Sequence, residues 1–137
     1  MITLHQLKLQ LRLLQVSETY TVTDGQFDLE VLAGSTFPSV AGDCSFYPTD
    51  SDGNAFSLTG YTAKLQIREN PSVAAILDIT PTVNTSDNSV SFSLTPAQTS
   101  LLVKTDYVWA VELTQTSTGK VLTLARGQVH VYPEIVK

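Results

Sequence analysis

The hexapeptide TDSDGN brings two carboxylates and a glycine close together, an arrangement that could coordinate calcium. An EF-hand loop requires oxygen ligands at its first, third and fifth positions, glycine at the sixth and a bidentate Glu at the twelfth. With Gly53 at the sixth position, Asp50 and Asp52 fit. The first position is then Pro48 and the twelfth is Thr59, and neither supplies a carboxylate. Because Asp-Gly between two strand-like runs is a strong signal for a tight turn, the stretch is predicted to be a turn.

Residues that commonly perform catalysis are few and scattered along the chain. The histidines His5 and His130 are far apart, and with the single thiol Cys44 they show no spacing typical of a zinc site. His130 lies in an alternating run and is predicted to face away from the core. No GxSxG elbow or glycine-rich phosphate loop occurs, and nothing in the linear order requires acids such as Asp78 and Glu112 to meet. The sequence predicts a non-enzymatic protein without a metal or cofactor.

The single tryptophan, Trp109, could provide a stacking platform for a sugar, as in many β-sandwich binding modules. Tyr107, Val111 and Leu113 share its face of an alternating run, so burial is predicted instead. A carbohydrate-binding or adhesin module is kept as the alternative from a different functional class. A solvent-accessible Trp109 would favour that alternative.

Composition excludes several classes of protein. The 137 residues are enough for one domain, and contents of 42% apolar and 15% charged residues are those of a globular chain. One cysteine allows no internal disulfide, and the opening residues lack the apolar core and the cleavage site of a signal peptide. No run approaches the ~20 apolar residues of a membrane span. We expect a soluble protein, made in a cytoplasm and without a membrane partner.

The net charge of −5 is unevenly distributed along the chain. Residues 1–17 contain Lys8 and Arg12 and no acid, which gives +2. The remainder contains six bases and thirteen acids, which gives −7. A nucleic-acid-binding protein requires a basic face, and single-strand binding also requires aromatic platforms that no strand shows. Nucleic acid is therefore not expected as a partner.

From Phe27 onward, short alternating runs are separated by turn residues, which is typical of a sandwich or barrel. The run YTAKLQIR is the clearest strand. One helical turn is predicted in TPAQTSLL, with Thr95 as N-cap and Gln98 closing a capping box, and Gly127 is a candidate bulge. The predicted fold is all-β: an immunoglobulin-like antiparallel β-sandwich of about seven strands with one short helical turn, at residues 26–137.

The first 25 residues form a separate N-terminal arm that precedes the repeating pattern. Its leucines fit both the alternation of a strand and the three-and-four spacing of a helix, so its secondary structure is left open. The arm either packs on its own domain or docks on a neighbouring subunit, where its bases would meet an acidic body. The residues predicted to contact a partner or another copy are Leu4, Leu7, Lys8, Leu9, Leu11, Arg12 and Leu13.

Four segments carry a resemblance to known proteins: DSDGNAFSLTGYTAKLQIRE, SFSLTPAQTSLL, DYVWAVELT and GQVHVYPE. Together they resemble small virion structural proteins of tailed phages, and are similar to the immunoglobulin-like N-terminal domain of phage upper-baseplate proteins. The resemblance covers roughly residues 34–134, is most specific at residues 58–62, and does not reach the arm. It implies a non-enzymatic virion component that is held in place by protein–protein contacts.

Two departures from that group refine the expectation. Upper-baseplate proteins continue beyond the sandwich into further segments, whereas this sequence ends at Lys137, and the arm is additional. A free-standing sandwich with an arm suits a capsid cement or decoration protein, whose copies form symmetric sets. We therefore expect a homo-oligomer in the virion, made in the host cytoplasm and bound to the major capsid protein. A tail or baseplate component, bound to tail or baseplate proteins, is the alternative.

Overall fold

In the residues that the structure describes, strands account for almost all of the regular structure, as the alternating pattern predicts. The computed structural model describes residues 15–16, 25–39, 44–50 and 52–135. The strands in chain order are β1 (Gln15–Val16), β2 (Gly25–Gln26), β3 (Leu29–Leu32), β4 (Ser45–Phe46), β5 (Thr49–Asp50), β6 (Tyr61–Arg68), β7 (Leu77–Ile79), β8 (Thr82–Asn84), β9 (Ser89–Ser91), β10 (Asp106–Gln115) and β11 (Val121–Tyr132). One helical turn, α1 (Pro96–Thr99), connects β9 to β10. The predicted all-β, sandwich-like fold is confirmed.

The strands form a larger main sheet and a smaller sheet. In the main sheet the order is β2, β11, β10, β6, β7, and β3 also pairs with β11. The smaller sheet has the order β4, β9, β8, and β1 pairs only with β5. The antiparallel pairing that was predicted holds between β6, β7, β10 and β11 and within the smaller sheet. The pairings of β2 and β3 with β11, and of β1 with β5, are parallel and were not predicted.

The core lies between the inward faces of these sheets. In β6, Ala63, Leu65 and Ile67 are buried while Lys64 is exposed, as the alternation predicts. Across the interior, Trp109 of β10 packs on two phenylalanines at the smaller sheet. The centroid of its ring lies 6.1 Å from the ring centroids of both Phe46 and Phe92. These rings fill the centre of the sandwich.

The helical turn α1 begins with the capping box that the sequence predicts. The side-chain oxygen of Thr95 accepts a hydrogen bond from the amide of Gln98 at 3.1 Å. In return, the amide of Thr95 donates to Gln98 Oε1 at 2.9 Å. At the other end of the turn, the buried Thr99 hydroxyl accepts from the amide of Gly34 at 3.0 Å and donates to the carbonyl oxygen of Ser35 at 2.9 Å. These bonds attach α1 to the end of β3.

The predicted bulge at Gly127 is wrong, because Gly127 is regularly paired with Trp109. The ladder between β10 and β11 is irregular further along, where Val111 pairs with Ala125 and Glu112 with Thr123. The glycine is instead required by a close backbone approach. A Cβ at position 127 would lie 1.7 Å from the carbonyl oxygen of Phe27, which connects β2 to β3.

Candidate interaction surfaces

The predicted contact residues of the N-terminal arm lie outside the described part of the chain. They are Leu4, Leu7, Lys8, Leu9, Leu11, Arg12 and Leu13. The structure does place β1, the pair of residues Gln15–Val16, which runs parallel to β5 with Gln15 opposite Thr49. These two residues of the arm therefore lie beside β5, the strand that precedes the Asp52–Gly53 turn.

The TDSDGN stretch forms a turn, as predicted. Gly53 has a φ of +83°, a conformation that glycine adopts without steric cost. Thr49 and Ala55 form an antiparallel bridge across the turn, and the amide of Phe56 donates to the carbonyl oxygen of Pro48 at 2.9 Å. Over residues 15–16, 25–39, 44–50 and 52–135, no three His, Cys, Asp or Glu residues are grouped as metal ligands.

His130 belongs to a polar cluster on the outer face of the main sheet. Its Nδ1 lies 3.1 Å from Asp106 Oδ1, and the two side chains are 43% and 77% exposed. The prediction that His130 faces away from the core is therefore confirmed. Its ring meets the Tyr132 ring edge-on, with centroids 4.8 Å apart, and the Tyr132 hydroxyl donates to Glu30 Oε1 at 3.3 Å. Partial desolvation, followed by the charge of Glu30 and this hydrogen bond, raises the pKa of Tyr132.

The acids Asp78 and Glu112 lie on the same face of the main sheet, on either side of β6. Glu112 is opposite Lys64 and Asp78 is opposite Gln66, so two strand spacings and an offset of two residues separate their backbones by roughly 12 Å. Asp78 Oδ2 accepts from Gln66 Nε2 at 2.9 Å and lies 3.7 Å from Lys64 Nζ. These contacts place Asp78 in an exposed surface network.

One end of the sandwich carries most of the exposed apolar side chains. Of the eight large apolar residues that are exposed in the described part of the chain, five form this group, termed the apolar end: Leu32, Leu101, Val103, Tyr132 and Ile135. Leu32 is the register partner of Tyr132, where β3 and β11 both end. The amide of Val131 donates to the carbonyl oxygen of Thr105 at 2.8 Å, which brings the chain after α1 to the same end. Val103 and Ile135 are 84% and 89% exposed.

The outer face of the main sheet also contains a shallow groove of about 590 Å³, termed the outer-face groove. Its floor includes Val108 and Ala110, the short outward side chains of β10. The neighbouring strands supply longer polar side chains as walls: Lys64, Gln66 and Arg68 on β6, Arg126 and Gln128 on β11, and Gln26 on β2. Val108 lies between Arg68 and Gln128, and Ala110 between Gln66 and Arg126, because these are register partners. A strand of small residues between two strands of long ones produces the concavity.

Several of the groove side chains hold one another in place. Arg68 Nη2 donates to Gln66 Oε1 at 2.6 Å, and Arg68 Nη1 donates to the carbonyl oxygen of Val73. Gln66 in turn donates to Asp78, which also pairs with Lys64. A chain of hydrogen bonds therefore orients the β6 wall of the groove before any ligand binds.

Trp109 contributes no exposed ring to this groove. The residue is only 2% exposed, and its indole Nε1 donates to the carbonyl oxygen of Phe27 at 2.8 Å. Tyr107, Val111 and Leu113 are buried on the same face, so the predicted burial of Trp109 is confirmed. The sugar-binding alternative thereby loses the stacking residue on which it depended.

Comparison of the sequence with protein-family models finds no matching family, and a search of curated proteins finds no significant match. None of the helical structure in the described ranges is long and apolar enough to span a membrane.

Sequence reasoning identified neither surface. The signal for the outer-face groove was present in part, since Val108 and Ala110 are small residues at outward positions of a predicted strand. The walls could not be assigned, because they depend on which strands flank β10 and in which register. The apolar end had a weaker signal, because Leu101, Val103 and Ile135 lie outside the alternating runs.

Proposed function

We propose that this chain is a non-enzymatic structural protein of a bacteriophage virion, and specifically a capsid cement or decoration protein. It stabilises the particle through protein–protein contacts with the major capsid protein and with further copies of itself, after synthesis in the host cytoplasm. A component of the tail or baseplate is the alternative within the same class.

The observation that carries this proposal is the apolar end. Isolated apolar side chains on a surface are ordinary, but a group of them marks a protein contact. Here the group includes Val103 and Ile135, both more than four-fifths exposed, at the same end of the sandwich as the half-exposed Leu32 and Tyr132. Burying these side chains against a partner would remove apolar surface from water, which is the main driving force of association.

Two further features support a virion role. The segments from DSDGNAFSLTGYTAKLQIRE to GQVHVYPE resemble the phage proteins described above, and the all-β, sandwich-like fold belongs to the fold class that the resemblance implies. The arm adds a leucine-rich, basic segment, residues 1–14, in front of the point where β1 pairs with β5. Such a segment could bind the acidic sandwich of a neighbouring copy through its basic and leucine side chains.

The location is tested by quantitative mass spectrometry of purified phage particles from the source culture. Abundance comparable with that of the major coat protein is the expected result and supports cement or decoration. A few copies per particle would overturn the capsid assignment in favour of the tail or baseplate. Absence from particles would overturn the virion proposal itself.

The contact surface is tested by a matched pair of substitutions. Val103→Ser removes an apolar side chain from the apolar end, and Val121→Ser removes one that is 53% exposed at the opposite end of β11. Each variant protein is added to particles that lack the wild-type protein. We expect Val103→Ser to lower occupancy on particles several-fold and Val121→Ser to leave it unchanged. Equal occupancy of both variants would remove the apolar end as the contact.

The arm is tested by deleting residues 1–14, which leaves β1 in place. We expect a folded sandwich that is monomeric or fails to bind particles, measured by circular dichroism, light scattering and particle co-sedimentation. A second variant keeps the length of the arm but replaces its leucines with serine, which separates the effect of the leucine side chains from the effect of arm length. Normal assembly of the truncated protein would show that the arm makes no contact between copies.

A further inference from the structure

The outer-face groove differs in charge from the rest of the molecule. The described residues include five bases, and three of them, Lys64, Arg68 and Arg126, line this groove. The only acid among its lining residues is Glu112, and Asp78 lies at its edge beside Lys64. Asp28 also lies at the edge, where its Oδ1 accepts from the amide of Gln128 at 3.0 Å. With these three acids counted, the groove carries three positive and three negative charges, whereas the whole chain has a net charge of −5. An anionic ligand would therefore find its most favourable position here.

The side chains of the groove are suited to carboxylates. An arginine guanidinium presents its N–H groups in a planar fork that matches a carboxylate. Arg68 uses two of its five N–H donors on Gln66 and Val73, which fixes the orientation of the guanidinium and leaves other donors for a ligand. Because the side chain is already ordered, less conformational entropy is lost when a ligand binds.

The dimensions and the amides of the groove are suited to an extended peptide. From Val108 to Glu112 the groove follows β10 for about 13 Å, the length of roughly four residues of extended chain. Gln26, Gln66 and Gln128 line it with side-chain amides, which both donate and accept hydrogen bonds. Peptide N–H and C=O groups require both kinds of partner.

A nucleic acid fits the same groove less well. The aromatic residue that lines it, Trp109, is buried and offers no ring for base stacking. The acidic remainder of the molecule would also repel a long chain of phosphates that extends beyond the groove. A short segment with separated carboxylates meets the three bases without that repulsion.

We infer that the outer-face groove is a binding site for an extended peptide segment that carries Asp or Glu side chains. The carboxylates bind Arg68 and Arg126, and the glutamine amides bind the peptide backbone. This inference goes beyond the proposed virion function and does not depend on where the protein resides.

The test uses the full chain and a labelled hexapeptide of alternating Glu and Val, with a control peptide in which Gln replaces each Glu. Fluorescence anisotropy measures affinity, and amide chemical shifts locate the site. We expect binding that weakens at least several-fold as salt rises from 50 to 300 mM, with the largest shifts at β6, β10 and β11. The Gln peptide should bind at least tenfold more weakly.

Variants separate the groove from general electrostatics. The pair Arg68→Gln and Arg126→Gln should reduce affinity at least tenfold, and the pair Lys104→Gln and Lys120→Gln, which removes the same charge elsewhere, should have little effect. Glu112→Gln should increase affinity several-fold, and an unfolded variant cannot produce a gain. The inference is overturned by equal binding of the two peptides, by equal effects of the two double variants, or by shifts outside the groove. Binding of an oligothymidylate in the groove without binding of the acidic peptide would also overturn it.

Discussion

Substitution of Gly127 by alanine is expected to destabilise the sandwich by an amount that follows from one backbone contact. A Cβ at this position would lie 1.7 Å from the carbonyl oxygen of Phe27, whereas Cβ atoms almost never come within 3.0 Å of a non-bonded heavy atom. The Phe27 carbonyl must therefore move by over an ångström. That movement breaks its 2.8 Å hydrogen bond from Trp109 Nε1 and strains the 2.8 Å bond from the Phe27 amide to the Arg126 carbonyl oxygen.

The magnitude has two parts. Overpacking of a buried site typically costs about 1–3 kcal/mol, and a buried polar group left without its partner costs about 1–3 kcal/mol. Gly127→Ala is therefore expected to cost about 2–6 kcal/mol, a large share of the ~5–15 kcal/mol that stabilises a typical domain. Gly119→Ala is the matched control, because Gly119 has a φ of +75° with no atom near its Cβ position. Its backbone strain alone should cost about 1 kcal/mol.

Trp109→Phe completes a double-mutant cycle at the same carbonyl oxygen. The single variant loses the indole donor and should cost about 2 kcal/mol. Once Gly127→Ala has displaced the carbonyl, the indole bond is already broken, so the double variant should fall short of the sum by about 1–2 kcal/mol. Urea unfolding is followed by circular dichroism, because Trp109→Phe removes the single tryptophan and with it the fluorescence signal. All variants are measured at one protein concentration, because association shifts apparent stability. An additive cycle, or a Gly127→Ala cost near that of the control, would refute the reasoning.

Two further predictions concern the end of the sandwich where α1 meets β3. Thr99→Val keeps the side-chain shape but removes the hydroxyl that accepts from the Gly34 amide, so it should cost about 1–3 kcal/mol in urea unfolding, while Thr99→Ser should cost clearly less. Tyr132 should titrate above its usual pKa of 10, and Glu30→Gln should lower that pKa, as measured by ultraviolet difference spectra against Tyr132→Phe. Because the folded pKa is raised, the stability that Tyr132 contributes is complete below pH 10 and is lost as pH rises through the folded pKa. An unchanged tyrosine titration in Glu30→Gln would contradict this coupling.

The features that could be predicted from the sequence are those determined by residues close to one another in the chain. The alternation in β6 and β10, the burial of Trp109 and the capping box of α1 all depend on residues within a few positions of one another. The role of Gly127 could not be predicted, because its constraint is Phe27, which is 100 positions away in the sequence and adjacent only through the parallel pairing of β2 and β3 with β11. The outer-face groove could not be predicted either, because its walls come from β6 and β11, which flank β10 only in the folded sheet. The arm was ambiguous because its leucines satisfy two periods at once.

The outer-face groove and the apolar end include different parts of the same strand, β11, and their separation determines whether both can be occupied at once. On β11, the lining of the outer-face groove ends at Gln128 and Tyr132 belongs to the apolar end, four residues and roughly 13 Å apart. A peptide in the groove and a protein at the apolar end therefore need not compete for space. Sites at that distance without shared partners normally act independently. Arg126→Gln should then leave particle occupancy unchanged, and Val103→Ser should leave affinity for the acidic peptide unchanged. If either substitution altered both measurements, the groove and the apolar end would be parts of one interface.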